Sequence, residues 1–309
     1  MSPENDACRE RAGSSPSAPG IGALVRKSVP EAVLVTEWDE IDGKDQRVTV
    51  RWPSEHSFHV QEGHYSPLLF VESLRQALAL LSHDVHRIPL GHRLGWEQLR
   101  ATVNREALRA DGSPARVVLR ITHPSVGRRR LGSVRLTSRI EAQRAGVPLG
   151  TAELDYTAHP PALYDRLRGS HRDAAEAVAR ALPPGPPVPA ARVGRDQARD
   201  VLLSPAGPPD TWRLRVDTGH RVFFDHPHDH VPGMVLLEAA AQAARSLVGQ
   251  PVTPVAFDTR FLRYVELDRP CLLTAEPGPS GDPRGHQVHV TAAQDGRPVF
   301  SSVLIAARH

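Results

Sequence analysis

Two stretches of the chain are apolar on nearly every face at helical spacing. The first runs from Pro67 to about His83 and presents Leu68, Leu69, Phe70, Val71, Leu74, Ala77, Leu78, Leu80 and Leu81. The second runs from about Pro232 to Val248, with a proline suited to a first turn and Gly249 suited to a C-cap. A helix without a polar side must be buried on most of its circumference, so each needs a sheet wrapped around it. Period-2 alternation supplies the strands. Before the first helix it marks Ala32 to Thr36 and Arg47 to Trp52, with Asp42-Gly43 as the hairpin signal between them. After that helix come Ala115 to Thr122, Gly132 to Ala142 and Leu149 to Thr157, the last two joined by a turn at Gln143 to Gly146. The second half repeats the order, with strand-like segments at 200–204 and 212–216 before the helix. Four more follow at 255–261, 270–276, 286–293 and 299–307.

The repetition extends to single positions. Phe58-His59-Val60-Gln61-Glu62-Gly63-His64 before the first helix aligns without a gap on Phe224 to His230 before the second. In this register Phe58 falls on Phe224, His64 on His230, Glu72 on Glu238, Gln76 on Gln242 and Ala77 on Ala243. The pattern predicts an α+β protein made of two copies of one unit, each a central helix embraced by an antiparallel sheet, which is a tandem hotdog. The expected boundaries are a disordered Ser/Pro/Gly-rich leader over 1–27, a first unit over 28–158 and a second over 199–309. Residues 159–198, with a short Ala-rich helix near Arg172 to Leu182 and the proline cluster 183–189, read as a stiff linker.

Length and charge narrow the function class. A chain of 309 residues holds two domains of ordinary size. Its net charge of +3 gives no footprint for nucleic acid, and Arg128-Arg129-Arg130 reads as a solvated turn. Cys8 and Cys271 offer no disulfide framework, and no stretch approaches the roughly 18 apolar residues of a membrane span. A soluble cytoplasmic protein is expected.

The chemistry lies where the helices carry acid. Glu72 and Glu238 each interrupt an apolar run, and an uncompensated buried carboxylate is costly. Helical spacing places Arg75 and Gln76 beside Glu72, and Gln242 beside Glu238 with Arg245 two turns on. A carboxylate kept ionised by an arginine suits a general base or a group that orients a hydroxyl. The helix start at Gly233 and Met234 offers unpaired amide hydrogens for a developing oxyanion. The preceding loop brings His226, His228, Asp229 and His230, with His64 as the counterpart of His230. That run is one residue short of a metallo-hydrolase HxHxDH pattern, so no metal is expected. With no G-x-S-x-G elbow, no convincing nucleophilic cysteine, no P-loop and no G-x-G-x-x-G, direct acyl transfer without a covalent intermediate or cofactor is the simpler chemistry.

Several motifs together resemble the A-factor (γ-butyrolactone autoregulator) biosynthesis hotdog family of filamentous soil bacteria. They are Trp52-Pro53 with His56-Ser57-Phe58, Tyr65 with Pro67-Leu68-Leu69, Glu72 to Ala77, Pro89 to His92, and Asp225-His226-Pro227 through Glu238. The resemblance implies an acyltransferase that joins a β-ketoacyl group, delivered on acyl carrier protein, to the primary hydroxyl of dihydroxyacetone phosphate. It also implies roles for Glu72, Arg75 and Glu238. The departure is Ala241, where the family pattern E-x-x-R places an arginine. Glu238 to Ala243 after Pro232-Gly233 also resembles hotdog dehydratases acting on 3-hydroxyacyl thioesters, and a non-catalytic acyl-binding protein is the third reading. Two units in one chain pair internally, so a monomer or a homodimer is expected.

Overall fold

The computed structural model describes residues 20–43 and 45–308. Its first half contains α1 (Ile21–Val25), β1 (Val35–Ile41), β2 (Asp45–Trp52), β3 (Val60–Gln61), β4 (His64–Tyr65), α2 (Pro67–Asp84), β5 (Arg93–Val103), β6 (Ala115–Arg128), β7 (Val134–Arg144) and β8 (Val147–His159). Its second half contains α3 (Pro161–Arg168), α4 (Ala174–Ala179), β9 (Leu203–Pro205), β10 (Thr211–Leu214), α5 (Gly233–Val248), β11 (Val252–Phe261), β12 (Cys271–Pro277), β13 (His286–Gln294) and β14 (Arg297–Arg308).

Among the described residues, twelve strands form one antiparallel sheet ordered β1-β2-β6-β7-β8-β5-β11-β14-β13-β12-β10-β9, and β3 and β4 form a separate hairpin. Read outward from the β5–β11 junction, the halves follow the same order. The tandem hotdog is therefore a single sheet with internal twofold symmetry. The junction pairs Ala256 with Thr102 through Arg260 with Gln98. Equivalent hairpins close on equivalent turns: Ala145-Gly146 joins β7 to β8 and Asp295-Gly296 joins β13 to β14. All four of these residues have positive φ, which matches the twist of a two-residue hairpin turn.

The apolar helices sit inside this sheet as their composition requires. In α2, Leu69, Phe70, Val71, Leu74, Leu78, Leu80 and Leu81 are buried, and each contributes roughly 1.5–3 kcal/mol by leaving water. Ser66 caps the helix, its Oγ accepting from the Leu68 amide at 3.2 Å, and Pro67 occupies the first turn. In α5 the small residues Ala239, Ala240, Ala243 and Ala244 are fully buried, and Gly249 ends the helix in the left-handed region. No helix among the described residues is long and apolar enough to cross a membrane.

Three features differ from expectation. The first 19 residues of the expected leader lie outside the described residues, but 20–27 are folded: α1 buries Val25 completely and ends on Arg26 in the left-handed region. The expected linker is also folded. Its α3, α4 and a 3-10 turn at Ala190–Val193 bury Tyr164, Arg168, Ala177, Val193 and Arg195. In both segments a few apolar anchors and buried ion pairs order the chain. The third difference is β5, a strand the alternation did not reveal. Arg93, Glu97 and Arg100 obscure its period because it is only partly covered at the junction.

The two folded segments are themselves equivalent. Arg26 and Lys27 donate their amides to Ala23 and Gly22, and Gly194 and Arg195 donate theirs to Ala191 and Ala190. Each repeat thus begins with a helical turn and a left-handed residue followed by a cation, Lys27 in one and Arg195 in the other.

Candidate active site between the two repeats

Each buried glutamate is tied to the start of its own repeat by a glutamine one turn on. Gln76 donates Nε2 to Glu72 Oε1 and to the Ala32 carbonyl, and its Oε1 accepts from the Leu34 amide, all at 2.8 Å. Gln242 does the same, donating to Glu238 Oε1 at 2.7 Å and to the Asp200 carbonyl at 2.8 Å, and accepting from the Leu202 amide at 2.8 Å. The glutamines therefore fix which rotamer each carboxylate adopts.

The cations differ. Both oxygens of Glu72 are engaged: Arg75 donates Nε to Oε2 and Nη2 to Oε1, each at 2.8 Å, and Lys27 Nζ lies 3.2 Å from Oε1. Burial alone raises the Glu72 pKa, but Arg75, Lys27 and Gln76 outweigh it and bring it down to about 2. At Glu238 the missing Ala241 guanidinium is replaced from the expected linker. Arg195 donates Nε at 2.8 Å and Nη2 at 2.6 Å to Oε1, so these bonds and that of Gln242 all fall on one oxygen and none uses Oε2. Arg195 is held by its Nη1 bond to the Phe58 carbonyl at 2.8 Å and by stacking over the Phe58 ring at 3.8 Å.

A cleft of about 400 Å³ opens beside Glu238. Of the expected site residues, Glu238, Gln242, Arg245 and His64 line it; Glu72, Arg75, His226, His230, Gly233 and Met234 do not. The two glutamates therefore do not share this cleft. Its other wall is the first repeat's loop and helix start, from His59 to Leu68, so the cleft belongs to both repeats at once.

The helix start that lines this cleft with Glu238 is that of α2; Gly233 and Met234, the expected oxyanion donors at the start of α5, do not line it, and Gly233 packs under Phe261, where a Cβ would meet Cε1 at 3.0 Å. At α2, Pro67 has no amide hydrogen and the Leu68 amide is taken by Ser66. Sequence reasoning also passed over His59. It lines the cleft, is 6 % exposed, and has a buried Nδ1 without a partner among the described residues. Burial first, then neighbouring His56, holds its pKa well below the ordinary imidazole value, so it is neutral.

The second repeat's loop is built differently. His230 Nδ1 lies 2.7 Å from Asp229 Oδ1, and Asp229 Oδ2 accepts from Tyr164 Oη at 2.7 Å and Arg168 Nε at 3.0 Å. His226 Nδ1 lies 2.8 Å from Asp225 Oδ1, and Asp225 Oδ2 accepts from the Ser28 amide. Asp225, His226 and His228 place ligand atoms within 4.8 Å of one another, a donor set of the right kind for zinc. The site fits a dication poorly, because Lys27 acts electrostatically on Asp225 and Arg75 on His228. Cys271 is no nucleophile, since burial pushes its thiol up to about 12.

Against known proteins, the model of the A-factor biosynthesis hotdog domain matches residues 18–160 and 177–306. A protein of Streptomyces virginiae named 2-oxo-3-(phosphooxy)propyl 3-oxoalkanoate synthase is 39 % identical over 285 residues, covering 91 % of this chain and 95 % of that one. A protein of the same name from Streptomyces coelicolor is 38 % identical, covering 91 % of this chain and 90 % of its own. Among solved structures, a putative oleoyl thioesterase from Lactobacillus plantarum superposes with a TM-score of 0.52 at 13 % identity, covering 85 % of this chain and 96 % of that one. An acyl-ACP thioesterase from Bacteroides thetaiotaomicron superposes with a TM-score of 0.51 at 12 % identity, covering 84 % and 97 %. At such identity these structures speak to the fold alone. With both hotdog units matched and the duplicated Glu-Gln clamps in place, this chain belongs to the A-factor biosynthesis hotdog-domain family.

Proposed function

We propose that the protein is an acyltransferase that moves a 3-oxoacyl group from a thioester, carried on acyl carrier protein, to the primary hydroxyl of dihydroxyacetone phosphate. The product would be the ester named by its Streptomyces relatives, a 2-oxo-3-(phosphooxy)propyl 3-oxoalkanoate. The observation that carries this reading is the buried Glu238 carboxylate, pinned through Oε1 with no bond to Oε2 among the described residues, on the wall of a cleft between the repeats.

In this mechanism Glu238 Oε2 accepts the proton of the acceptor hydroxyl as its oxygen attacks the thioester carbonyl. The C–O bond forms, the C–S bond breaks, and the proton passes on to the leaving thiolate. Arg195 and Gln242 keep the carboxylate oriented and leave Oε2 free. Neutral His59, which lines the cleft, is the donor for the carbonyl oxygen as charge develops. Glu72 serves to hold Lys27 and Arg75 in the first repeat.

The test is to incubate the protein with a 3-oxoacyl thioester and dihydroxyacetone phosphate and follow the phosphorylated ester by mass spectrometry. Glu238→Gln keeps the Arg195 and Gln242 contacts but removes the base, and is expected to lower kcat by about 10² to 10⁴. Ester formed equally well by this variant would remove Glu238 from the mechanism, and no ester from the native protein beside an active relative would remove the reaction.

A further inference from the structure

The two repeats arrange their cations in different places, and the difference makes the cleft. The register that sets Glu238 on Glu72 sets Ala241 on Arg75 and Arg245 on Ala79. The register that sets Leu202 on Leu34, the two amides bound by the glutamines, sets Arg195 on Lys27 and Gly194 on Arg26. In the second repeat, therefore, the helix arginine has moved one turn, about 6 Å along the axis. Its former place is occupied by Ala241, which lines the cleft.

Arg245 is built in at its new position. Gly194, in the left-handed region at φ +67°, lets the guanidinium lie on the backbone, where a Cβ would stand 1.6 Å from Nη1. The Gly194 carbonyl accepts from Nη1 at 3.0 Å. Among the described residues no carboxylate lies within ion-pair distance of Arg245; Glu238 and Glu62 attract it only through space, while Arg195 repels it. A largely buried guanidinium with one hydrogen bond and no counter-ion has donors to spare and a desolvation cost that an anion would offset. Arg192 and Arg105 line the same cleft, with Glu62 and Asp196 exposed on its rim.

We propose that Arg245 is the anion-binding residue of the acceptor subsite, taking the phosphate of the three-carbon acceptor while Ala241 leaves room for the rest of it beside Glu238 Oε2. The identity of the acceptor rests on the function proposed above; the phosphate subsite does not. Arg192 and Arg105 add charge at the mouth, and the fixed fork of Arg245 sets the distance from phosphate to hydroxyl.

The experiment measures binding of dihydroxyacetone phosphate and of inorganic phosphate to the intact protein by titration calorimetry, with no thioester present. Arg245→Gln, which can keep the bond to the Gly194 carbonyl, and Arg245→Met are compared with the native protein, and thermal midpoints report folding. The expected result is a loss of affinity of about tenfold or more for both phosphate ligands in both variants. With thioester added, the KM for dihydroxyacetone phosphate should rise by about tenfold or more in both variants. Native-like phosphate binding by a folded Arg245→Gln or Arg245→Met protein overturns the proposal. Arg245-dependent phosphate binding in a protein that makes no ester would uphold this subsite and count against the reaction.

Discussion

Glu72 and Glu238 accept the same bond from the same glutamine position, yet they carry different electrostatic loads. At Glu72 two cations occupy both oxygens, so the carboxylate is a structural counter-ion whose loss leaves Lys27 and Arg75 buried without one. Its pKa of about 2 lies below the ordinary 4.5. A depressed carboxylate contributes its stability in full above the unfolded value and loses it as the pH falls through the folded one. Glu72→Gln should therefore cost about 3–5 kcal/mol at neutral pH, and that difference should shrink between pH 4.5 and about 2. Urea midpoints of the two proteins across this range decide it: a gap that does not change with pH would mean that Glu72 is not held ionised. The asymmetry was partly visible in the sequence, since Arg75 follows Glu72 at helical spacing and Ala241 breaks the match. The remedy was not visible, because Arg195 reaches Glu238 from 43 positions away in the chain.

At the scale of elements, what the sequence disclosed and what it hid follow from local signal strength. The helices 67–84 and 233–248 were legible to within a residue or so because their apolar faces, the Pro67 first turn and the Gly249 cap are local. The strands that alternate cleanly, such as β7 with its inward Val134, Leu136, Ser138, Ile140 and Ala142, were legible for the same reason. Strand β5 was hidden by charges at the junction. Apart from the Ala-rich α4, which composition marks, residues 20–27 and 161–200 were hidden because their order comes from long-range pairing, to which neither periodicity nor propensity responds. Arg168 is the clearest case. At the end of α3, it donates Nε to Asp229 Oδ2 at 3.0 Å, Nη2 to the Asp229 carbonyl at 2.8 Å, and Nη1 and Nη2 to Glu266 at 2.7 Å each. It also lies over the Tyr264 ring at 4.5 Å. This one side chain clamps the supposed linker to the second repeat's loop and to the turn after β11. Arg168→Ala should destabilise the protein by about 3–5 kcal/mol, because it leaves the buried Asp229 and the half-buried Glu266 carboxylates without their arginine. Chemical denaturation measures the loss, and a change below about 1 kcal/mol would show that α3 is only loosely attached.

At the scale of the whole molecule, the site requires both repeats, and so does the sheet. The cleft takes Glu238, Ala241 and Arg245 from α5, His59 to Leu68 from the first repeat, and Arg195 from the segment between them. Arg195 joins all three parts by bonding Glu238 and the Phe58 carbonyl with the same guanidinium. Across the junction β5 and β11 pair over five residue positions, and the Asp225 carboxylate of the second repeat accepts from the Ser28 amide of the first. Buried residues of both halves, from Val25 to Leu304, belong to one contiguous core. A half that unfolded alone would open the edge of the neighbouring strand, expose the face of the other helix, and break the ion pair that positions Glu238. Chains of this length commonly populate intermediates, so a single transition is a demanding expectation. We nevertheless expect one, because the shared core and the Arg195 ties make the halves interdependent. Trp38, Trp52 and Trp96 lie in the first repeat and Trp212 in the second, so tryptophan fluorescence weights the first half while far-ultraviolet circular dichroism reports both. Their urea curves should coincide, with acyl transfer lost at the same midpoint. Separated curves, or activity lost well before either, would show that the halves fold as independent domains and that the cleft is closed by a weaker contact than Arg195 provides.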